Sequence, residues 1–407
     1  MRATLLTAAL LAAAAPALAN DAQAAKAAAD GSNGFAVDLY RAIKDQPGNQ
    51  FFSPYSVSVA LAMTREGARG ETAAEMDRVL HFPQDLAKAH EALRLGLVPP
   101  VHEEYGEHGR EKRPAFALEV ANRLWGQQGS QFVPAFLKTL DDRYAAPLER
   151  IDFRQTAAAR KRINDWVAER TKDKIKDIVP EGLPEPDTRL ALANAIYFKA
   201  SWTHPFREHG TKDEAFHLGG GQDAQVKLMR VGGRFALGED ERVQVLELPY
   251  GRGETSMVVV LPKDPAGLKQ VEGALSAEAL GGWLRLLRRQ RVDVALPRFE
   301  FTVPLDLTET LQGMGMRRAF SGQADFSGMS TEERLFIGVV LHKAFVAVDE
   351  KGTEAAAATV VMMEKGAAPR PETPAVFRAD HPFLFLIRDT RSGAILFMGR
   401  VLDPTKR

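Results

Sequence analysis

Ser53 and Ser56 lie close together, and His342 stands far downstream, so the chain holds the two side-chain types of a hydrolytic nucleophile and its base. A serine becomes a nucleophile when a neighbouring imidazole takes its proton, and many hydrolases present that serine on a Gly-x-Ser-x-Gly elbow. Neither serine has such an elbow, and Pro54 falls between them, so catalysis is set aside. His102-Glu103-Glu104 begins like a zinc-protease helix, which needs its second histidine four residues after the first to share a helical face. The next histidine is His108, six residues on, with Gly106 between, and the segment reads as a solvated loop. Arg285, Arg288, Arg289 and Arg291 form a basic cluster of the kind that can hold a polyanion, although a charge run is usually a solvated face. None of these groups makes a metal or cofactor site, and none is expected.

The more informative chemistry belongs to the backbone. Glu350-Lys351-Gly352-Thr353-Glu354-Ala355-Ala356-Ala357-Ala358-Thr359 follows a strand-like run from Phe336 to Val348. At the strand period of two, Thr353, Ala355, Ala357, Thr359, Val361 and Met363 share one uncharged face, while Glu354 and Glu364 fall on the other. An alanine run by itself suggests a helix or a linker. The preceding strand, the flexible Gly352 and the uncharged alternate face point instead to a segment that later becomes a buried strand. Alanines lose little side-chain entropy on burial, and no proline between Gly352 and Ala368 removes a ladder donor.

The elements that must position this segment are helical early and extended late. Helical patterns cover Gly34 to Lys44, Ser56 to Glu66, Glu71 to Leu80, Ala87 to Leu97, Pro134 to Tyr144 and Ala157 to Lys172. Strand-like runs cover Ala115 to Trp125, Leu190 to Lys199, Phe235 to Glu239, Val243 to Pro249, Met257 to Leu261, Val292 to Phe301, Phe336 to Val348 and Pro382 to Arg388. Without βαβ alternation, the order indicates an α+β domain with large antiparallel sheets. The 407 residues carry a formal net charge of zero, which argues against nucleic acid or an anionic membrane as the main partner. Residues 1–19 read as an export signal, with Arg2, an apolar run from Leu5 to Ala15 and a small-residue site at Ala17-Leu18-Ala19. The apolar run is too short for a permanent membrane span. Residues 20–32 read as a flexible lead and 33–407 as one domain, secreted or periplasmic. There is no cysteine, so stability rests on packing.

Four segments, in order, resemble the serpin family across nearly the whole mature chain. They are Asn49 to Ser58 (NQFFSPYSVS), Asn194 to Trp202 (NAIYFKASW), His342 to Glu354 (HKAFVAVDEKGTE) and Phe377 to Phe385 (FRADHPFLF). The resemblance implies a single domain with a large mixed main sheet, two smaller sheets, eight or nine helices and an exposed reactive loop at about residues 350–376. It implies a monomeric inhibitor of a serine protease, or of a cysteine protease. The loop is then bait, and after cleavage its N-terminal half inserts in the main sheet and drags the acylated protease along. Glu350, Gly352, Thr353, Glu354, Ala355, Ala356, Ala357 and Ala358 match the hinge. Ser53, Ser56, Asn194 and His342 match a hydrogen-bonded cluster under the strands that separate. Trp202, Arg298 and Glu350 match the site where insertion begins. Family spacing from Glu350 puts the scissile bond between Gly366 and Ala367, and a loop shorter by one residue puts it after Lys365. Met362, Met363 and Arg370 are further candidates, because the loop is longer than in many serpins. The alternative is a non-inhibitory carrier or chaperone of the same fold. One position departs from the pattern: Asp173 stands where the family commonly has glycine, and aspartate also tolerates left-handed backbone.

Overall fold

Phe51 stacks on Phe397 with ring centroids 5.0 Å apart and on Phe385 at 5.6 Å, where the short strand Gln50–Phe52 pairs with Ile395–Val401. Early and late segments are thereby knitted into one core. These contacts come from a computed structural model that describes residues 4–106, 109–218, 221–353 and 373–406. The strand Ile395–Val401 belongs to a nine-stranded sheet that continues through Phe383–Asp389, Thr255–Pro262, Val243–Tyr250, Asp223–Glu239 and Arg288–Pro297 to Ala375–Arg378. Thr255–Pro262 is buried at every position, because it is central and covered on both faces.

A second, mixed sheet has six strands, in the order Phe299–Asp306, Leu341–Val348, Gly352–Thr353, Leu190–Ser201, Ala117–Gln127 and Glu149–Ile151. In Leu341–Val348 every second residue is buried, from His342 to Val348, as one face packs on the principal core. The opposite face carries a second apolar cluster, in which Trp125 meets Trp166 of the helix Thr156–Arg170 edge to face. A two-stranded hairpin, Val101–Gly106 with Gly109–Pro114, makes a third sheet among the described residues.

Helix α2, Pro54–Arg65, runs beneath the mixed sheet and is buried from Pro54 to Thr64. Ser53 caps it by accepting from the Ser56 N–H, and Pro54 occupies the first turn, where a missing N–H costs nothing. The first helix, α1, spans Thr4–Ile43. Residues 20–32, expected as a flexible lead, are therefore helical, with Ala28 and Ala29 buried. Alanine favours a helix and lets it lie close to its neighbours. At Gly31 a Cβ would stand 2.3 Å from the carbonyl oxygen of His81.

Other expectations also shift. The segment beginning at His102, expected as a solvated loop, falls within the hairpin, whose charged residues hide any apolar alternation. The run Val292 to Phe301 divides at Arg298 into two strands of different sheets. Phe336 to Val340 precedes the strand that begins at Leu341.

A buried ionic group ties α1 to the end of the chain. Arg400 donates to Glu272 Oε1 at 2.8 Å, Tyr40 donates to the same oxygen at 2.6 Å, and both charged side chains are about 5% exposed. Arg400→Met leaves a buried carboxylate without its cation and should lower unfolding free energy by about 3–5 kcal/mol. Urea unfolding measures this, and the double replacement Arg400→Met with Glu272→Leu should recover most of the loss.

Candidate functional site

The mixed sheet is closed at one end and split at the other. Leu341–Val348 pairs in parallel with Leu190–Ser201 only through Leu341, His342, Lys343 and Ala344, which face Ala193, Asn194, Ala195 and Ile196. Farther along, Gly352–Thr353 lies between the two strands, with Thr353 opposite both Val348 and Ala200. Between these two contacts, Phe345 to Ala347 and Tyr197 to Lys199 face a slot that no strand fills among the described residues. Each bank is held on its outer side, by Glu300–Thr302 and by Ala117–Glu119. The slot-facing peptide groups are therefore a ready template for one more strand.

The entrance is tightly specified. A Cβ on Gly352 would lie 2.1 Å from the Ala200 carbonyl oxygen, so this close approach requires glycine. Thr353 is buried, and its hydroxyl is 2.6 Å from the Tyr250 hydroxyl, whose ring stacks on Trp202 at 4.2 Å. The Trp202 indole donates to the Asp349 carbonyl, and its backbone N–H to that of Lys351, both at 2.9 Å. The Glu350 carboxylate takes Arg298 Nη2 at 2.6 Å on both oxygens and Thr211 Oγ1 at 2.7 Å. Burial opposes its ionisation, but the hydrogen bonds from Thr211 and Arg298 outweigh burial and hold the carboxyl below its ordinary range. Arg298, at the break between two sheets, thus anchors Glu350, two residues before Gly352.

At the closed end, a polar row crosses three strands. Asn122, Asn194 and His342 are neighbours in register, with Ser53 and Ser56 beneath them from the start of α2. His342 Nδ1 lies 2.5 Å from Asn194 Oδ1, and Nε2 accepts from the Ser53 backbone N–H at 3.0 Å. This pair of contacts fixes the neutral tautomer with its proton on Nδ1. Asn194 Nδ2 donates to Ser56 Oγ and O at 2.7 Å and to Asn122 Oδ1 at 2.6 Å. Ser53 Oγ donates to the Leu396 carbonyl at 2.6 Å. The imidazole nitrogen nearest Ser53 is therefore occupied by an amide, which is not the arrangement of a nucleophile and its base.

The family model described as serpin (serine protease inhibitor) matches residues 30–404. The chain belongs to the serpin family. An uncharacterised serpin-like protein of Thermococcus kodakarensis is 43% identical over 376 residues, 91% of this chain and 84% of that one. The leukocyte elastase inhibitor of Bos taurus is 41% identical over 382 residues, 91% of this chain and 97% of its own. The solved structure of human thyroxine-binding globulin with its ligand matches at TM-score 0.80 and 29% identity, over 94% of this chain and 99% of that one.

The mixed sheet is the main sheet of this serpin, and the structure brings together Ser53, Ser56, Asn194 and His342 in one cluster and Trp202, Arg298 and Glu350 in another. Gly352 and Thr353 occupy the top of the slot. Glu354, Ala355, Ala356, Ala357, Ala358, Lys365, Gly366 and Ala367 lie outside the described residues, as do Met362, Met363 and Arg370. Sequence reasoning missed Asn122, whose signal was an amide inside an otherwise strand-like run. It also missed Tyr250 and Thr211, whose roles depend on contacts distant in sequence. Asp173 has φ 62° and Lys172 φ 52°, so both adopt left-handed backbone where the helix Thr156–Arg170 ends. From there Lys172 sits 5.2 Å from the Tyr197 ring and Lys174 5.1 Å from the Phe345 ring, one on each bank of the slot.

Burial pushes the His342 pKa down to about 3 and that of His90 down to about 4. The unfolded chain takes up these protons near pH 6.5, so this contribution to stability is complete above that pH and is lost as pH falls below it. Each histidine should cost about 1.4 kcal/mol per pH unit until its folded pKa is reached. Denaturant titrations between pH 6 and 4.5 should show His342→Gln removing one histidine's share of that slope; an unchanged slope would contradict the buried neutral imidazole.

Proposed function

We propose that this serpin inhibits a serine protease by a covalent trap in which the cleaved reactive loop inserts as a new strand in the main sheet. The observation that carries this reading is the slot with Gly352 and Thr353 already at its head. Extending both registers residue by residue places Ala357 between Ala344 and Ile196, and Thr359 between His342 and Asn194. The uncharged face that begins at buried Thr353 thus continues through Ala355, Ala357 and Thr359, and the small side chains suit a passage between two existing strands. At Thr359 the incoming strand must break the His342–Asn194 hydrogen bond, and a hydroxyl arriving at that level offers both residues a replacement partner. About ten new backbone hydrogen bonds at roughly 1 kcal/mol each favour insertion, so the uninserted form is held kinetically.

In this mechanism the protease serine attacks the scissile carbonyl and the loop breaks, leaving its N-terminal part as an ester on that serine. Insertion then carries the acyl-enzyme away from the entrance before water resolves it. Lys365 suits a protease with an acidic specificity pocket, and Gly366–Ala367 suits one with a small pocket; the elastase inhibitor named among the relatives agrees with the second. The thyroxine complex among the structural neighbours supports a carrier as the rival reading. A carrier has no need of an uncharged, proline-free inserting face, which favours inhibition. Residues 1–19 are read as a leader removed on export, with the inhibitor acting outside the cytoplasm.

Incubation with trypsin and with pancreatic elastase should yield a complex that survives boiling in detergent. Loop cleavage without any complex would refute the trap. Thr353→Arg forces a cation into a buried position beside Tyr250, and should convert the inhibitor into a substrate, raising the inhibitor consumed per protease trapped by tenfold or more. The C-terminal peptide, separated under denaturing conditions and weighed by mass spectrometry, identifies the scissile bond.

A further inference from the structure

Three neighbouring strands at one end of the nine-stranded sheet, Asp223–Glu239, Arg288–Pro297 and Ala375–Arg378, set two rows of residues side by side on one face. Their register aligns Gly232, Asp293 and Val376 in one row, and Arg230, Ala295 and Arg378 in the next. The middle of the face is low, because Gly232 has no side chain and Ala295 only a methyl group. Arg207 and His209, at the short turn Glu208–Gly210, stand on one rim. The result is a hollow of about 620 Å³, within the range of small-molecule sites.

Its charges divide into those that are answered and those that are not. Glu214, from the strand Lys212–His217, takes Arg230 Nη2 at 2.6 Å and Arg378 Nη2 at 2.7 Å, and Arg378 also donates to Asp380 at 2.6 Å. These groups satisfy one another and make a fixed wall. The Arg207 guanidinium has no partner among the described residues, and neither has the Asp293 carboxylate. Asp293 leans across the sheet over Gly232, where a Cβ would stand 2.9 Å from its Oδ1. Beside it on the other strand, Val376 is 62% exposed. The two free charges line one hollow yet do not pair, which leaves room for a group between them. A simple anion on Arg207 would face Asp293, and a simple cation on Asp293 would face three arginines.

We propose that this hollow binds a small zwitterion with an apolar side chain, a free amino acid or a short peptide. The ligand carboxylate lies on Arg207, its ammonium on Asp293, and its side chain on Val376 and Ala295. A ligand so held joins the turn at Arg207 to the strand Ala375–Arg378 and stabilises the folded chain.

Isothermal titration of the intact protein at neutral pH uses L-leucine and leucyl-leucine as probes. N-acetyl-leucine, which lacks the ammonium, and leucinamide, which lacks the carboxylate, serve as controls. Wild type should show one saturable site that binds each control about tenfold more weakly than leucine. Tighter binding of the dipeptide identifies a short peptide as the ligand, and tighter binding of leucine a free amino acid. Asp293→Asn should bring N-acetyl-leucine level with leucine, and Arg207→Gln should do the same for leucinamide. Both positions are exposed, so the thermal midpoint without ligand should stay unchanged. Absence of saturable binding of both leucine and the dipeptide overturns the proposal. So does equal binding of the controls by wild type, or discrimination that survives the two substitutions.

Discussion

The hydrogen bond from His342 to Asn194 joins the two strands that would part under the proposed insertion, and several buried contacts hold it in place. Burial keeps the imidazole neutral, the Ser53 amide selects its tautomer, and Asn122 with Ser56 orients the amide that receives its proton. Buried polar groups are stable only when all are satisfied, so the row has no cheap half-open state. Above it the same two strands are already separated, with a two-residue strand between them. The sheet is thus closed by side-chain contacts at one end and split around Gly352–Thr353 at the other.

A further segment touches both banks of the slot. The segment after the helix Thr156–Arg170 places Lys172 and Lys174 on the rings that line opposite banks. Lys172, Asp173 and Asp177 all have positive φ, where non-glycine residues pay a penalty of order 1 kcal/mol. Lys343 adds a hydrogen bond from one bank to the Lys176 carbonyl.

The inserting face and the main helices and strands were legible in the chain because periodicity and side-chain size are local properties. Gly352 drew attention as a flexible residue, but its deeper constraint is the Ala200 carbonyl oxygen at the position of its missing Cβ. That contact involves a residue some 150 positions away, and no local pattern records it. Asn122 and Tyr250 were missed for the same reason: register across strands decides what they touch. The hairpin from Val101 to Pro114 was hidden by charge, since neither of its faces is apolar enough to mark a strand. The serpin resemblance found the cluster of Ser53, Ser56, Asn194 and His342, and the structure adds its hydrogen-bond pattern.

The most direct measurement is hydrogen exchange at the slot before and after cleavage of the loop. In the intact protein, those amides of residues 345–347 and 197–199 that face the slot should exchange rapidly, while amides paired on the outer sides stay protected. After cleavage the slot-facing amides should become as slow as the core of the sheet, because a new strand bonds to both banks. Rapid exchange that persists in the cleaved protein would show that no strand enters, and would contradict the account at its centre.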